Sequence, residues 1–175
     1  MSGKFLAGLL LVALGAGLRF WALDRHSLWT DEFFTLQRIT GAPAPAEATP
    51  PLYFVLLQYW TAAAGLTPAA LRAFSALWGV AGLLVIWLAG ARLVSPPAGL
   101  FALAVAALSP FHLAYSQEAR PYAMLFALSA ASFWTLAEAL RGGTRWWLAW
   151  VACTAALLYT HYWGLFVWAA GALYA

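Results

Sequence analysis

The chain is a succession of long apolar runs separated by short polar breaks, and the positions of those breaks predict its architecture. Residues 5–23, 69–93, 98–114 and 121–141 each come close to the ~20 apolar residues that a helix needs to cross a bilayer. A fifth run follows the basic turn Arg141-Gly142-Gly143-Thr144-Arg145 and emerges at Tyr159-Thr160-His161-Tyr162-Trp163, and residues 164–175 open a sixth. The expected fold class is an all-α polytopic membrane protein with about five to six transmembrane helices in one domain over residues 1–175. The run 5–23 exceeds the h-region of a cleaved signal peptide and is closed by Arg19 and Trp21 as interfacial anchors, so it reads as the first span. The last run stops without a polar flank, and the chain reads as the N-terminal part of something longer.

Residues 52–64 break the pattern, being apolar but too short to span. The distribution of positive charge decides their placement. If they do not span, the loops around Arg92, Arg141 and Arg145 share the cytoplasmic side with Lys4. If they do, those loops flip outward. The stretch is therefore read as an interfacial or re-entrant helix inside one long external loop, residues 24–68. Earlier in that loop, Trp29, Phe33, Phe34, Leu36 and Ile39 recur near helical spacing and predict an interfacial helix with its aromatics in lipid. Residues 41–51 are rich in Pro and Ala and read as a connection, with Thr49 as an N-cap ahead of Pro50-Pro51.

Composition agrees with the pattern. Of 175 residues, 65% are hydrophobic and 9% charged, and mean hydropathy is +0.79, far from the usage of a soluble domain. The formal net charge of +3 comes from residues that flank membrane runs, which gives no basis for nucleic-acid binding. The single cysteine, Cys153, lies in an apolar run and rules out a disulfide framework or a thiolate metal site.

On this topology the external face collects Asp31, Glu32, Glu118, Arg120, Tyr122 and His161 from three separate segments. Adjacent helical residues point ~100° apart, so Asp31 and Glu32 cannot both face one cavity squarely. One is expected to work as a base on a hydroxyl, the other to pair structurally with Arg25 or Arg38. Both also read as plain solvated interfacial charges. Arg120 precedes Pro121, which suits the first helical position, so a guanidinium and a helix N-terminus address one volume, an arrangement suited to phosphate. An ion pair with Glu118 or a headgroup contact reads the same way. His161 reads as a hydrogen-bond donor, an acid or a metal ligand, with a structural role as the plainer reading. His26 and His112 lack companions at metal-ligand spacing, and the sequence calls for no cofactor.

Asp31-Glu32 after the first span, Pro50-Pro51-Leu52-Tyr53-Phe54, Ser109-Pro110-Phe111-His112 running into Ser116-Gln117-Glu118-Ala119-Arg120-Pro121-Tyr122, and Tyr159 to Gly164 together resemble the bacterial dolichyl-phosphate-mannose protein mannosyltransferase-like family. These are membrane glycosyltransferases of the GT-C fold, related to the aminoarabinose lipid A transferases. The resemblance implies inverting transfer of a sugar from a polyprenyl-phosphate donor to a lipid, glycan or protein acceptor. It places the active face outside the cytoplasmic membrane. It assigns Asp31 as general base with Glu32 beside it and Arg120 near the lipid phosphate, and it puts Glu118, Tyr122 and His161 in the cavity. Thr49 stands where relatives often carry His, which leaves any metal contact from that loop undetermined. A transporter using external carboxylates and an inactive membrane scaffold are the alternatives. The first would need ionisable residues near the membrane midplane, whereas here the charges gather at helix ends.

Overall fold

The computed structural model describes residues 3–43 and 49–175; residues 44–48 of the Pro/Ala-rich connection lie outside them. The described residues form α-helices and no strand: α1 Gly3–Phe20, α2 Thr30–Thr40, α3 Leu52–Ala64, α4 Pro68–Leu93, α5 Pro96–Leu108, α6 Pro110–Ser116, α7 Tyr122–Leu140, α8 Thr144–Thr160 and α9 Gly164–Tyr174. The protein is an all-α polytopic membrane bundle. Among the described residues α1, α4 and α7 are long and apolar enough to cross a membrane, and α5 with α6 makes a fourth if the bent pair is one span. The expectation of five to six counted α8 and α9 as well. At 17 and 11 residues, with Arg145 in the first turn of α8, they are shorter than the other spans.

Helix α4 is the centre of the bundle, packed on α1, α3, α5, α6 and α7. Thr67 starts it by accepting from the Ala70 N–H, with Pro68 in its first turn. Its crossing with α5 is a backbone contact: a Cβ on Gly99 would lie 2.5 Å from the Ala91 nitrogen and the Trp87 carbonyl. Small residues at such crossings let apolar helices approach closely enough to gain dispersion contacts where no hydrophobic drive exists between them. Beside this crossing Leu83, Trp87, Leu103, Ala106 and Ala107 form one apolar cluster, while Tyr53, Phe54, Leu57, Leu71, Ala119 and Met124 form another toward the opposite end of α4.

The third apolar run is not continuous. Pro110 has no N–H for the Ala106 carbonyl, and α5 and α6 meet at a 63° bend. Ser109 caps the new helix by accepting from the His112 N–H. The freed carbonyls are taken by Arg19, which donates to Ala106 at 3.0 Å and Ala107 at 3.3 Å, as well as to Gly15 at 2.9 Å and His112 Nδ1 at 2.8 Å. Arg19 is thus fully buried and not the interfacial anchor expected. Trp21 is exposed, as that role requires. A buried guanidinium needs this many acceptors, and a proline break inside an apolar helix supplies them.

Helix α3 has the boundaries expected for residues 52–64, and its 13 residues reach only ~20 Å. It lies back against the first turns of α4, where Trp60 Nε1 donates to the Ala70 carbonyl at 2.8 Å. Pro51, rather than Thr49, occupies its N-cap, and the Thr49 carbonyl accepts from Arg38 instead. At α2, the N-cap Trp29 and Phe33 are exposed, whereas Leu36 and Ile39 pack into the apolar cluster, so the predicted apolar stripe is divided between the outside and the core.

Candidate active site

The polar residues of the predicted external face converge at one end of the bundle. Helix α2 begins with Asp31 and Glu32, and the helical twist sends them different ways. Glu32 is fully buried. Its carboxylate grips Arg72 through two bonds, Nε at 2.8 Å and Nη2 at 2.6 Å, and accepts the Ala119 N–H at 2.9 Å and the Trp29 N–H at 3.3 Å. Arg72 also donates to the carbonyls of Leu23, His26 and Ser27, so one ion pair ties α2, α4, the turn after α1 and the segment between α6 and α7. The structural partner of the acidic pair is therefore Arg72, not Arg25 or Arg38. Arg72 is not among the partners that the sequence suggests for the pair. The available signal was an arginine in the first turns of an apolar helix, which calls for a carboxylate on the same side.

Asp31 is only partly buried, and among the described residues no ion pair or hydrogen bond engages its carboxylate. Its carbonyl accepts from Thr35 Oγ1 at 3.1 Å and from Arg120 Nη1 at 3.3 Å. Arg120 is buried, and the same Nη1 lies 3.4 Å from Thr35 Oγ1. Its guanidinium therefore lies along α2, beside the base of Asp31. Pro121, expected as the first helical residue, is the N-cap of α7, which starts one position later at Tyr122, a difference within the usual fraying of helix ends.

Glu118 lines one cleft with Glu32 and Arg72, and its Oε2 is buried without a hydrogen-bond partner among the described residues. Burial and the Glu32 charge push its carboxyl above the ordinary range; Arg120 pulls the other way, Asp31 adds to the rise and Arg72 opposes it. Glu118, Gln117, Trp29 and His26 line a cleft of about 400 Å³ that reaches the Glu32–Arg72 pair. His161 is buried at the end of α8, where its Nδ1 accepts the Trp163 N–H at 3.1 Å. Its ring lies 4.3 Å from Tyr162 and 5.7 Å from Tyr122. Burial, and then the Arg120 charge, hold its imidazole below the usual value, which keeps it neutral near pH 7. Asp31, Glu32, Glu118 and Arg120 thus fall in one region, and the Arg120 charge is felt at His161, whose ring lies beside that of Tyr122. Among the described residues no group of three or more potential ligands is placed to hold a metal ion.

The family model described as dolichyl-phosphate-mannose-protein mannosyltransferase matches residues 48–175, well over half of the chain. The match takes in Glu118, Arg120, Tyr122 and His161; Asp31 and Glu32 precede it. No curated protein and no solved structure matches.

Proposed function

The chain belongs to the dolichyl-phosphate-mannose-protein mannosyltransferase family, and on that premise we propose that it transfers a sugar, with inversion, from a polyprenyl-phosphate donor to an acceptor hydroxyl at the outer face of the cytoplasmic membrane. Membership supports a membrane glycosyltransferase working from a lipid-linked donor. The observation that carries the finer reading is the division of the acidic pair: Glu32 is held by Arg72 and two backbone N–H groups, while the Asp31 carboxylate is left for substrate.

In this reading Asp31 takes the proton of the acceptor hydroxyl as its oxygen attacks the anomeric carbon from the face opposite the leaving group. The bond from that carbon to the polyprenyl-phosphate oxygen breaks, and the phosphate departs with both electrons. Arg120, beside Asp31 along α2, offers positive charge to that phosphate. Glu118, Tyr122 and His161 wall the same region. A neutral imidazole at His161 suits hydrogen bonding to a sugar hydroxyl without competing with Arg120 for anionic charge.

The test is Asp31→Asn in the membrane-embedded protein, given a polyprenyl-phosphate donor with a radiolabelled sugar and a panel of acceptors. Transfer is expected to fall by about 10²–10⁴-fold, the usual contribution of a positioned base, and wild-type product is expected to show the anomeric configuration opposite to the donor. Undiminished transfer by Asp31→Asn would remove the assigned role. Retained configuration would remove the inverting mechanism.

A further inference from the structure

The segment Pro50-Pro51-Leu52-Tyr53-Phe54 stands out in the sequence, yet none of its residues enters the chemistry above. Tyr53 is fully buried, which for a phenol requires a partner. Its hydroxyl lies 2.7 Å from Ser75 Oγ on α4, and Ser75 Oγ donates in turn to the Arg120 carbonyl at 3.2 Å. A serine has one proton to give, so with Ser75 donating to Arg120 the phenol must be the donor to Ser75. The chain of bonds runs Tyr53 O–H to Ser75 O–H to the Arg120 carbonyl, joining α3, α4 and the start of α7 in one direction.

That carbonyl belongs to the residue whose guanidinium lies on α2. The short segment 117–120 is fastened elsewhere at Gln117, which donates to the Leu18 and Trp21 carbonyls, and at Ala119, whose N–H meets Glu32. Both points precede Arg120. On its far side the next residue is Pro121, which has no N–H with which to anchor the backbone. At Arg120 the N–H turns back to the Glu118 carbonyl at 2.8 Å, within the segment, while the carbonyl is tied to another helix through Ser75 on α4.

We propose that Tyr53 and Ser75 are positioning residues for the donor phosphate site: their hydroxyls, in series, fix the backbone of Arg120 so that its guanidinium stays beside Asp31. The proposal rests on the reading that Arg120 serves the polyprenyl phosphate. It gives the short helix α3 a role in the site without placing any of its atoms on substrate, and it ranks the two hydroxyls. Ser75 touches Arg120 directly, whereas Tyr53 directs the serine proton and acts one step removed.

The experiment measures initial rates in proteoliposomes for Ser75→Ala, Tyr53→Phe, the double variant and Arg120→Ala, varying the polyprenyl-phosphate sugar and the acceptor separately. Ser75→Ala is expected to raise the KM for the donor by roughly three- to tenfold, the factor one buried hydrogen bond carries, with the acceptor KM unchanged. Tyr53→Phe is expected to give a smaller rise, and the double variant to match Ser75→Ala alone, because the two hydroxyls act as one chain. A purely structural role would lower kcat through loss of active protein and leave both KM values alone, and that result overturns the proposal. So does an unchanged donor KM in Ser75→Ala alongside a raised one in Arg120→Ala, which leaves the phosphate reading standing. An unchanged donor KM in Arg120→Ala removes the phosphate reading and the relay together.

Discussion

The two ends of the bundle each carry a Glu–Arg pair between helices, and the pairs are built differently. At the site end, Glu32 and Arg72 meet through two short bonds with both side chains nearly sealed, at 0% and 8% exposure. Backbone groups from three segments complete both partners. At the other end, Glu138 is buried, but Arg92 reaches it through one bond of 3.1 Å with 68% of its side chain exposed, and Arg141 adds a looser contact at 3.6 Å. The first pair is a junction that segments converge on, and the second is a tether between two helix ends. Burial sets the difference: an exposed pair contributes little, whereas a buried one punishes the loss of either partner. The site end is thus where the protein concentrates its polar bonding, and among the described residues the Asp31 and Glu118 carboxylates stand outside that network.

The sharpest way to break this contrast is to remove one partner from each pair. Arg72→Met leaves the Glu32 carboxylate buried beside apolar packing and strips three carbonyls of their donor, with an expected loss of about 3–5 kcal/mol. Chemical denaturation of the reconstituted protein would show it, as would failure to accumulate in the membrane. Gly99→Leu probes the helix crossing beside the tether. Its side chain meets backbone at the α4–α5 crossing, and a loss of about 1–3 kcal/mol is expected, because backbone cannot yield as a side chain does.

Glu118→Gln is expected to act in the opposite direction. Since the folded protein holds this carboxyl above its ordinary value, the native state binds more protons than the unfolded one, and stability from this group is lost as pH rises through the raised value. The glutamine should melt higher than wild type near pH 7. That advantage should vanish as pH falls below the ordinary glutamate value of about 4.3. Melting curves at three pH values would read both. Arg92→Ala at the tether should change stability by only about 0–1 kcal/mol; a loss as large as that of Arg72→Met would erase the distinction between the two ends.

The helices were largely legible because the chain punctuates them with turn residues. Pro50-Pro51 and Gly65 bracket α3 at the expected bounds, and Thr67-Pro68 opens α4. Pro110 carried its warning too, yet the apolar residues around it masked the break, whose cost falls only when Arg19 supplies donors from another helix. That long-range exchange is what sequence spacing does not contain. The same holds for Glu32. Adjacency showed that one acid of the pair had to turn inward, but its partner sits 40 residues away on α4, and the choice depends on how the two helices are rotated against each other. The gathering of Asp31, Glu118, Arg120 and His161 was readable because topology alone assigns helix ends to one side. The side-chain chain through Tyr53 and Ser75 was not, since it depends on the depth at which α3 lies against α4.

The central claim is that the two adjacent acids have separate duties, Asp31 in the reaction and Glu32 in the architecture. Measuring turnover and thermal stability side by side for Asp31→Asn and Glu32→Gln tests it most directly. The account predicts that Asp31→Asn melts like wild type and does not transfer sugar, while Glu32→Gln melts well below wild type. It also predicts that the part of Glu32→Gln remaining folded still turns over. A Glu32→Gln protein of wild-type stability with no activity, or an Asp31→Asn protein with full activity, would contradict it.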